Sequence, residues 1–203
     1  MQGTMEKMEL IGRQKVEDAV FTFVDVETTG LSPRTARVCE LAAISFRGGE
    51  RVATFSELIN PGGPIPPEVS RIHGITDEMV KNRPAFAKFA WPLADLLENS
   101  VIVAHNADFD LEFLREELKR VGMRLPKRHV VDTVYVARKY WQFKSNRLGN
   151  IAAELNIPNE GWHRALADVE MTRKIFERFL AKLRQEGVST VNDLAEKCGR
   201  KTS

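Results

Sequence analysis

Asp25 and Glu27 stand one residue apart at the end of the apolar run Phe21-Thr22-Phe23-Val24-Asp25-Val26-Glu27-Thr28-Thr29-Gly30. In a strand, residues two apart share a face, so the two carboxylates sit side by side. Adjacent anions at a buried strand end repel each other and lose hydration, a cost that a divalent cation would offset. The alternative is a strand that ends early and leaves both acids solvated. A second source of carboxylates is His105-Asn106-Ala107-Asp108-Phe109-Asp110, where the chain leaves a short apolar run and enters a helical pattern. Ligands are commonly held at such junctions in α/β folds. Asp108 and Asp110 are both candidates, and either would also serve as a helix N-cap. The third source is His163-Arg164-Ala165-Leu166-Ala167-Asp168. Five helical residues rise about 7.5 Å, which puts His163 in the turn leading into the helix, reaching toward the same cleft as Asp168. Imidazole titrates near pH ~6.5 and suits proton removal from water at neutral pH; a structural histidine at a helix start is the alternative. Together, four carboxylates and one histidine make a hard-cation site with a base beside it, and oxygen ligation favours Mg2+ or Mn2+ over zinc. Two such ions about 3.5–4 Å apart bind a phosphodiester and stabilise both the attacking and the leaving oxygen. Phosphoester hydrolysis fits this set of residues.

The elements that must hold these groups follow from the pattern around them. VFTFVDVE, RVCELAAISF and RVATFSEL, between Val20 and Leu58, read as three strands separated by TTGLSPRTA and RGGE. The short Arg47-Gly48-Gly49-Glu50 break predicts a hairpin between the second and third. The Pro61 to Pro67 stretch then interrupts the strand pattern. AFAKFAWPLADLLEN predicts a helix and Val101–Ala104 a buried strand, and Leu111, Leu114, Leu118 and Val121 form one helical stripe stopped by Gly122. A strand at His129–Val131 precedes helices near Thr133–Tyr140 and Leu148–Leu155. A long helix from Ala165 to Gln185 follows, with Leu166, Val169, Phe176, Phe179, Leu180 and Leu183 as its apolar side. Three antiparallel strands followed by alternating helices and strands make an α/β fold, a mixed β-sheet flanked by α-helices.

Composition sets the limits. The 203 residues are 43% hydrophobic and 29% charged, which excludes a disordered chain and fits one domain. With 30 basic and 28 acidic side chains the formal charge is +2, so contact with a polyanion must be local. Cys39 and Cys198 lie far apart and have no metal-ligand spacing, which points to a reduced, cytoplasmic setting. No apolar stretch approaches a signal-peptide core or a membrane span.

Four motifs, FVDVETTGL, HGITDEM, HNADFDLEFL and HRALADVEMT, resemble in order and spacing those of the DEDDh 3′–5′ exonucleases, over about Val20 to Leu183. That family includes the proofreading subunit of bacterial DNA polymerase III and the proofreading domain of the Gram-positive replicative polymerase. The resemblance implies a ribonuclease-H-like fold. It implies Asp25, Glu27, Asp110 and Asp168 as ligands of two divalent ions, Mg2+ or Mn2+, and His163 as the base. Asp110 is selected over Asp108 because the family's acid follows the Phe of HN-x-x-FD, here Phe109. Arg164 fills the position where the sister subtype carries Tyr. Thr28, Thr29, Gly30 and Leu31 are implied as contacts to the 3′ end, with His73, Ile75, Asn106 and Phe109 lining the same groove; His73 or Asn106 could instead be buried groups that hold a turn. The implied domain runs over residues 20–186, between an N-terminal extension, 1–19, and a C-terminal tail, 187–203, read as peripheral helices or mobile segments. The implied substrate is the 3′ end of DNA. An exoribonuclease acting on RNA is the rival within the family, and a non-catalytic nucleic-acid or polymerase-binding adaptor is the rival outside it. A DNA polymerase is the implied partner, and no membrane is.

Among lesser features, Asp132 reads as an N-cap or as a residue of the cleft. Lys127, Arg128, Arg138, Lys139, Lys144, Arg147 and Arg164 read either as a track for a phosphate backbone or as solvated helix surface. Trp91, Trp141 and Trp162 are expected to pack.

Overall fold

The computed structural model describes residues 2–158 and 163–198. Five strands form one mixed sheet: β1 (Val20–Thr28), β2 (Val38–Arg47), β3 (Glu50–Leu58), β4 (Val101–Ala104) and β5 (Val130–Asp132), in the order β3-β2-β1-β4-β5. β1, β2 and β3 pair antiparallel, and β4 and β5 add in parallel. The hairpin turn is made by Gly48 and Gly49 at φ +56° and +89°, positive values that match a two-residue turn to the strand twist and favour glycine.

Each face of the sheet has its own apolar layer. Phe21 and Phe23 of β1 and Ala42 and Ile44 of β2 face helices α6 (Thr133–Tyr140), α7 (Leu148–Glu154) and α8 (Ala165–Gln185). Val24, Val26, Leu41 and Ala43 face α4 (Ala90–Glu98) and α5 (Ala107–Arg120). Two short helices, α2 (Pro67–His73) and α3 (Asp77–Val80), close a third, small cluster around Cys39, Ile65 and Ile75. The helix expected over AFAKFAWPLADLLEN is a 3-10 turn at Phe86–Lys88 followed by α4. Pro92 lacks an amide hydrogen and is tolerated only in a first turn, which fixes the helix start just before it. β5 lies one residue later than expected. In α8, Ala165, Met171 and Ile175 share the buried side with Val169, Phe176, Phe179 and Leu183, whereas Leu166 is exposed.

The flanking segments carry helices α1 (Gln2–Arg13) and α9 (Val191–Cys198). They are joined by a bridge between Lys15 and Thr190, by Val16 N–H to the Ser189 carbonyl (2.9 Å) and by Val191 N–H to the Gln14 carbonyl (3.0 Å). Ile11, Val16, Val188, Val191 and Leu194 are buried in the same layer as α8. Trp141 packs on Phe179 with ring centroids 4.2 Å apart, as expected. Trp91 does not pack: it is 71% exposed. Trp162 lies outside the described residues. Among the described residues, no helix is long and apolar enough to cross a membrane.

Candidate active site

β1 delivers its acids by simple alternation. Phe21, Phe23, Asp25 and Glu27 form one row, and the first two are buried under α8. The row therefore turns from aromatic to acidic where the first turn of α8 brings in Asp168. Carboxylate oxygens of Asp25, Glu27 and Asp168 lie within 4.8 Å of one another. The β1–β2 register slips between Glu27 and Thr28, so that Glu27 faces Glu40 and Thr28 faces Val38. Such irregularities re-aim side chains beside functional sites.

Asp110 arrives from the opposite face of the sheet, on the first turn of α5. The β1–β4 ladder stops at Phe23 and Val103, and the Val26 amide beyond it is satisfied by Asp110 Oδ1 at 3.0 Å. Asp110 is buried, and of all the charges near Asp25 it contributes most to raising the pKa there. It nevertheless stands outside the three-carboxylate group. Asp108 is exposed. Asp132 caps α6, its Oδ1 accepting from the amides of Val134 (2.9 Å) and Asn106 (3.1 Å), which ties the start of α5 to the end of β5.

The acids are poorly solvated and repel one another. Burial first, then the charges of Asp168 and Glu40, push Glu27 up to about 8, while Arg164 opposes the rise. Burial pushes Asp168 up to about 7, against a hydrogen bond from the His163 amide. Asp25 and Asp110 are also raised, by burial above all. Among the described residues, Asp168 Oδ1 is buried with no hydrogen-bond partner. An orphaned carboxylate oxygen beside two more carboxylates fits a hard divalent cation, which would supply the missing partner and the compensating charge.

His163 is half-buried at φ +65° and lines a cavity of about 580 Å3 together with Asp25, Asp168, His105 and Asn106. The segment that carries it is fastened to β2 by Glu40, a residue the motifs did not reveal. Only 4% exposed, Glu40 accepts from Arg164 Nη2 at 2.6 Å and Nε at 3.1 Å, and from the Ala165 amide at 2.9 Å. A charged N-terminal cap and a forked ion pair thus hold the first turn of α8, and with it Asp168, against the strand that faces Glu27.

The 28–37 segment is held in a similar way. Thr28 Oγ1 donates to the Gly30 carbonyl (2.7 Å), the Thr29 amide donates to the Arg37 carbonyl (2.9 Å), and Thr29 Oγ1 accepts from the Arg37 amide (3.0 Å). Fully buried Glu117 of α5 grips Arg37 Nε and Nη2 at 2.8 and 2.9 Å and the Val38 amide at 3.1 Å. Leu31 stands at the tip, 88% exposed. Phe109 is half-buried against Phe113, and Asn106 is exposed. His73 and Ile75 are buried instead. The His73 Nδ1 accepts from the Ile75 amide at 3.0 Å, so its proton is on Nε2, directed at the Thr28 carbonyl and the Cys39 sulfur. His73 thus reaches the end of β1, and Ile75 packs with Cys39 of β2.

Comparison with known proteins agrees with this geometry. Residues 22–176 match the family model RNase T, described as exonuclease. The chain is 37% identical over 176 residues to the 3′-5′ exonuclease DinG of Bacillus subtilis, covering 86% of this chain and 19% of that protein. It is 34% identical to the PolC-type DNA polymerase III of Thermotoga maritima, covering 87% of this chain and 13% of the polymerase. The chain therefore spans about a fifth or less of these relatives. With the DNA polymerase III subunit epsilon of Treponema pallidum it shares 35% identity, covering 87% of this chain and 83% of the subunit. Escherichia coli exonuclease I in complex with a dT13 oligonucleotide has the same fold, with a TM-score of 0.72 at 23% identity over 83% of this chain and 42% of that one. The ribonuclease-H-like sheet and the family match over most of the chain make this protein a member of the RNase T exonuclease family.

Proposed function

We propose that the chain is a metal-dependent 3′–5′ exonuclease that hydrolyses the terminal phosphodiester of DNA and releases nucleoside 5′-monophosphates. The observation that carries this reading is the convergence of the Asp25, Glu27 and Asp168 carboxylates beside a cavity that His163 also lines. Asp110, held on the Val26 amide next to Asp25, is the fourth acid of the set. Two divalent ions, Mg2+ or Mn2+, would supply charge against the phosphate oxygens and acidify the attacking water.

The chain's own residues do the rest. Asp25, Glu27, Asp110 and Asp168 bind the ions and fix their position. His163 takes the proton of the attacking water. Thr28, Thr29 and Gly30 present backbone to the terminal nucleotide, and Leu31 and Phe109 offer apolar surface to its base, with Asn106 at the rim. His73 and Ile75 support Thr28 from beneath. The match across most of a polymerase III epsilon subunit supports a role beside a DNA polymerase, in proofreading or repair.

The test uses 5′-labelled single strands of DNA and RNA with Mg2+ or Mn2+, comparing the parent with Asp25→Ala and His163→Ala. The expected result is stepwise shortening of DNA from the 3′ end with monophosphate release. Activity should disappear with chelator or Asp25→Ala and fall about 10²–10⁴-fold with His163→Ala. Shortening that survives chelator and Asp25→Ala would overturn the proposal. Faster loss of RNA would replace DNA by RNA as the substrate.

A further inference from the structure

The structure separates the seven basic side chains between Lys127 and Arg164 into different tasks. Arg164 is held by Glu40, and Arg128 is buried with its Nη2 3.4 Å from Glu98. Lys139 donates to the Lys197 carbonyl at 3.0 Å and lies over the rings of Tyr135 and Tyr140. Lys127 lines a different cavity, between α1, α4 and the segment before β5. Arg138 and Arg147 alone among these seven line the cavity shared by Asp25, His163 and Asp168. Both are exposed, and among the described residues neither guanidinium has a carboxylate within ion-pairing distance, although acids crowd the floor of the same cavity.

Their placement is fixed by the fold. Arg138 is in the last turn of α6, whose first turn is capped by Asp132. Arg147 precedes α7, in a segment pinned to the end of β4 by His105. The His105 Nε2 donates to the Asn146 carbonyl at 2.9 Å, and its Nδ1 accepts from the Thr133 hydroxyl at 2.8 Å. A polyanion approaching a carboxylate cluster is repelled except where cations face it. Ions held by the carboxylates can neutralise the scissile phosphate only.

We infer that Arg138 and Arg147 bind the backbone phosphates next to the scissile bond, forming the cationic wall of the strand-binding cleft. This rests on the exonuclease reading and names the group that site recognises beyond the reacting phosphate. Guanidinium forks match phosphate oxygens in shape and charge, and such contacts set position and affinity without reading sequence.

The experiment measures binding of a fluorescent single-stranded oligodeoxynucleotide by anisotropy in chelator, and steady-state hydrolysis with Mg2+, for the parent, Arg138→Gln, Arg147→Gln and the control Lys127→Gln. Oligonucleotides carrying one neutral methylphosphonate at each of the four 3′-most linkages complete the set. Each arginine variant should weaken binding and raise KM about tenfold, and should lower the slope of log K against log salt by about 0.7. Lys127→Gln removes the same charge and should change neither. One of the linkages 5′ of the scissile bond should lose its sensitivity to methylphosphonate when the arginines are gone. Unchanged affinity and salt slope in both arginine variants, or an equal effect from Lys127→Gln, would overturn the inference. A parent that binds but does not hydrolyse would instead sink the exonuclease reading and leave the binding arm to decide on the arginines.

Discussion

Asp168→Asn should stabilise the metal-free protein while removing its activity. Asp168 is 6% exposed, one of its carboxylate oxygens has no hydrogen-bond partner among the described residues, and burial raises its pKa from 3.8 to about 7. A rise of this kind means that the folded state disfavours the charged form. Below pH 4 the group is protonated in both states and costs nothing. Between pH 4 and 7 the unfolded chain gives up its proton first, so stability falls as pH rises, and above pH 7 the full penalty is present. Three units correspond to ~4 kcal/mol, and relaxation around the group brings the expected gain from Asn to about 2–4 kcal/mol at pH 8. For a chain of this size, that is a rise in melting temperature of about 4–16 °C.

The assay is thermal unfolding of parent and variant in chelator at pH 4, 6 and 8, repeated with saturating Mg2+. The two curves should meet at pH 4 and separate as pH rises. Mg2+ should raise the melting temperature of the parent, because a ligand that binds only the folded state stabilises it, and should raise that of the variant less. Equal or lower stability of Asp168→Asn at pH 8 in chelator would refute the argument, since the aspartate would then not be a buried charge awaiting a cation.

Three further outcomes follow from the same contacts. Glu40→Ala releases the Arg164 fork and the Ala165 amide, and the resulting misplacement of His163 and Asp168 should cut kcat about 10–100-fold, with Glu40→Gln recovering part of the loss. Glu117→Ala leaves the Val38 amide and Arg37 without their shared acceptor; a stability loss of about 3 kcal/mol in denaturant titration, with faster proteolysis of residues 29–37, is expected. Arg128 is buried, and among the described residues its Nε and Nη2 lack hydrogen bonds, so Arg128→Met should leave stability unchanged or raise it by about 1–2 kcal/mol by calorimetry.

What the sequence made legible is what depends on short range. Period-two alternation put Asp25 and Glu27 on one face, and the starts of α5 and α8 marked Asp110 and Asp168. The two-glycine turn between β2 and β3 and the bounds of α6 and α8 followed from local signals as well. Local pattern alone left Asp108 and Asp110 open, and the resemblance chose Asp110; the physical reason for that choice is not local, because Asp110 binds the Val26 amide, 84 residues away and beyond the end of the β1–β4 ladder. A buried His73 holding a turn was one of two readings open in the sequence, and the motif gave no means of choosing it over a place in the groove. The His73 ring meets the Cys39 sulfur and the Thr28 backbone, contacts that no periodicity in HGITDEM announces. The packing of α1 on α9 depends on the two ends of the chain meeting.

Glu40 shows most clearly why part of the site could not be read. In the run Arg-Val-Cys-Glu-Leu-Ala-Ala it is one acid in an apolar strand, the kind of residue expected to face solvent. Its partner Arg164 is 124 positions away, and its neighbour Glu27 is fixed only by the cross-strand register. Arg164 is paired with Glu40, and its charge also acts on Glu27. The cation that anchors the His163 segment is thereby the same one that lowers the cost of ionising Glu27. Positioning the base and preparing the acid for a cation are consequently one arrangement, so a change at Glu40 must disturb both together.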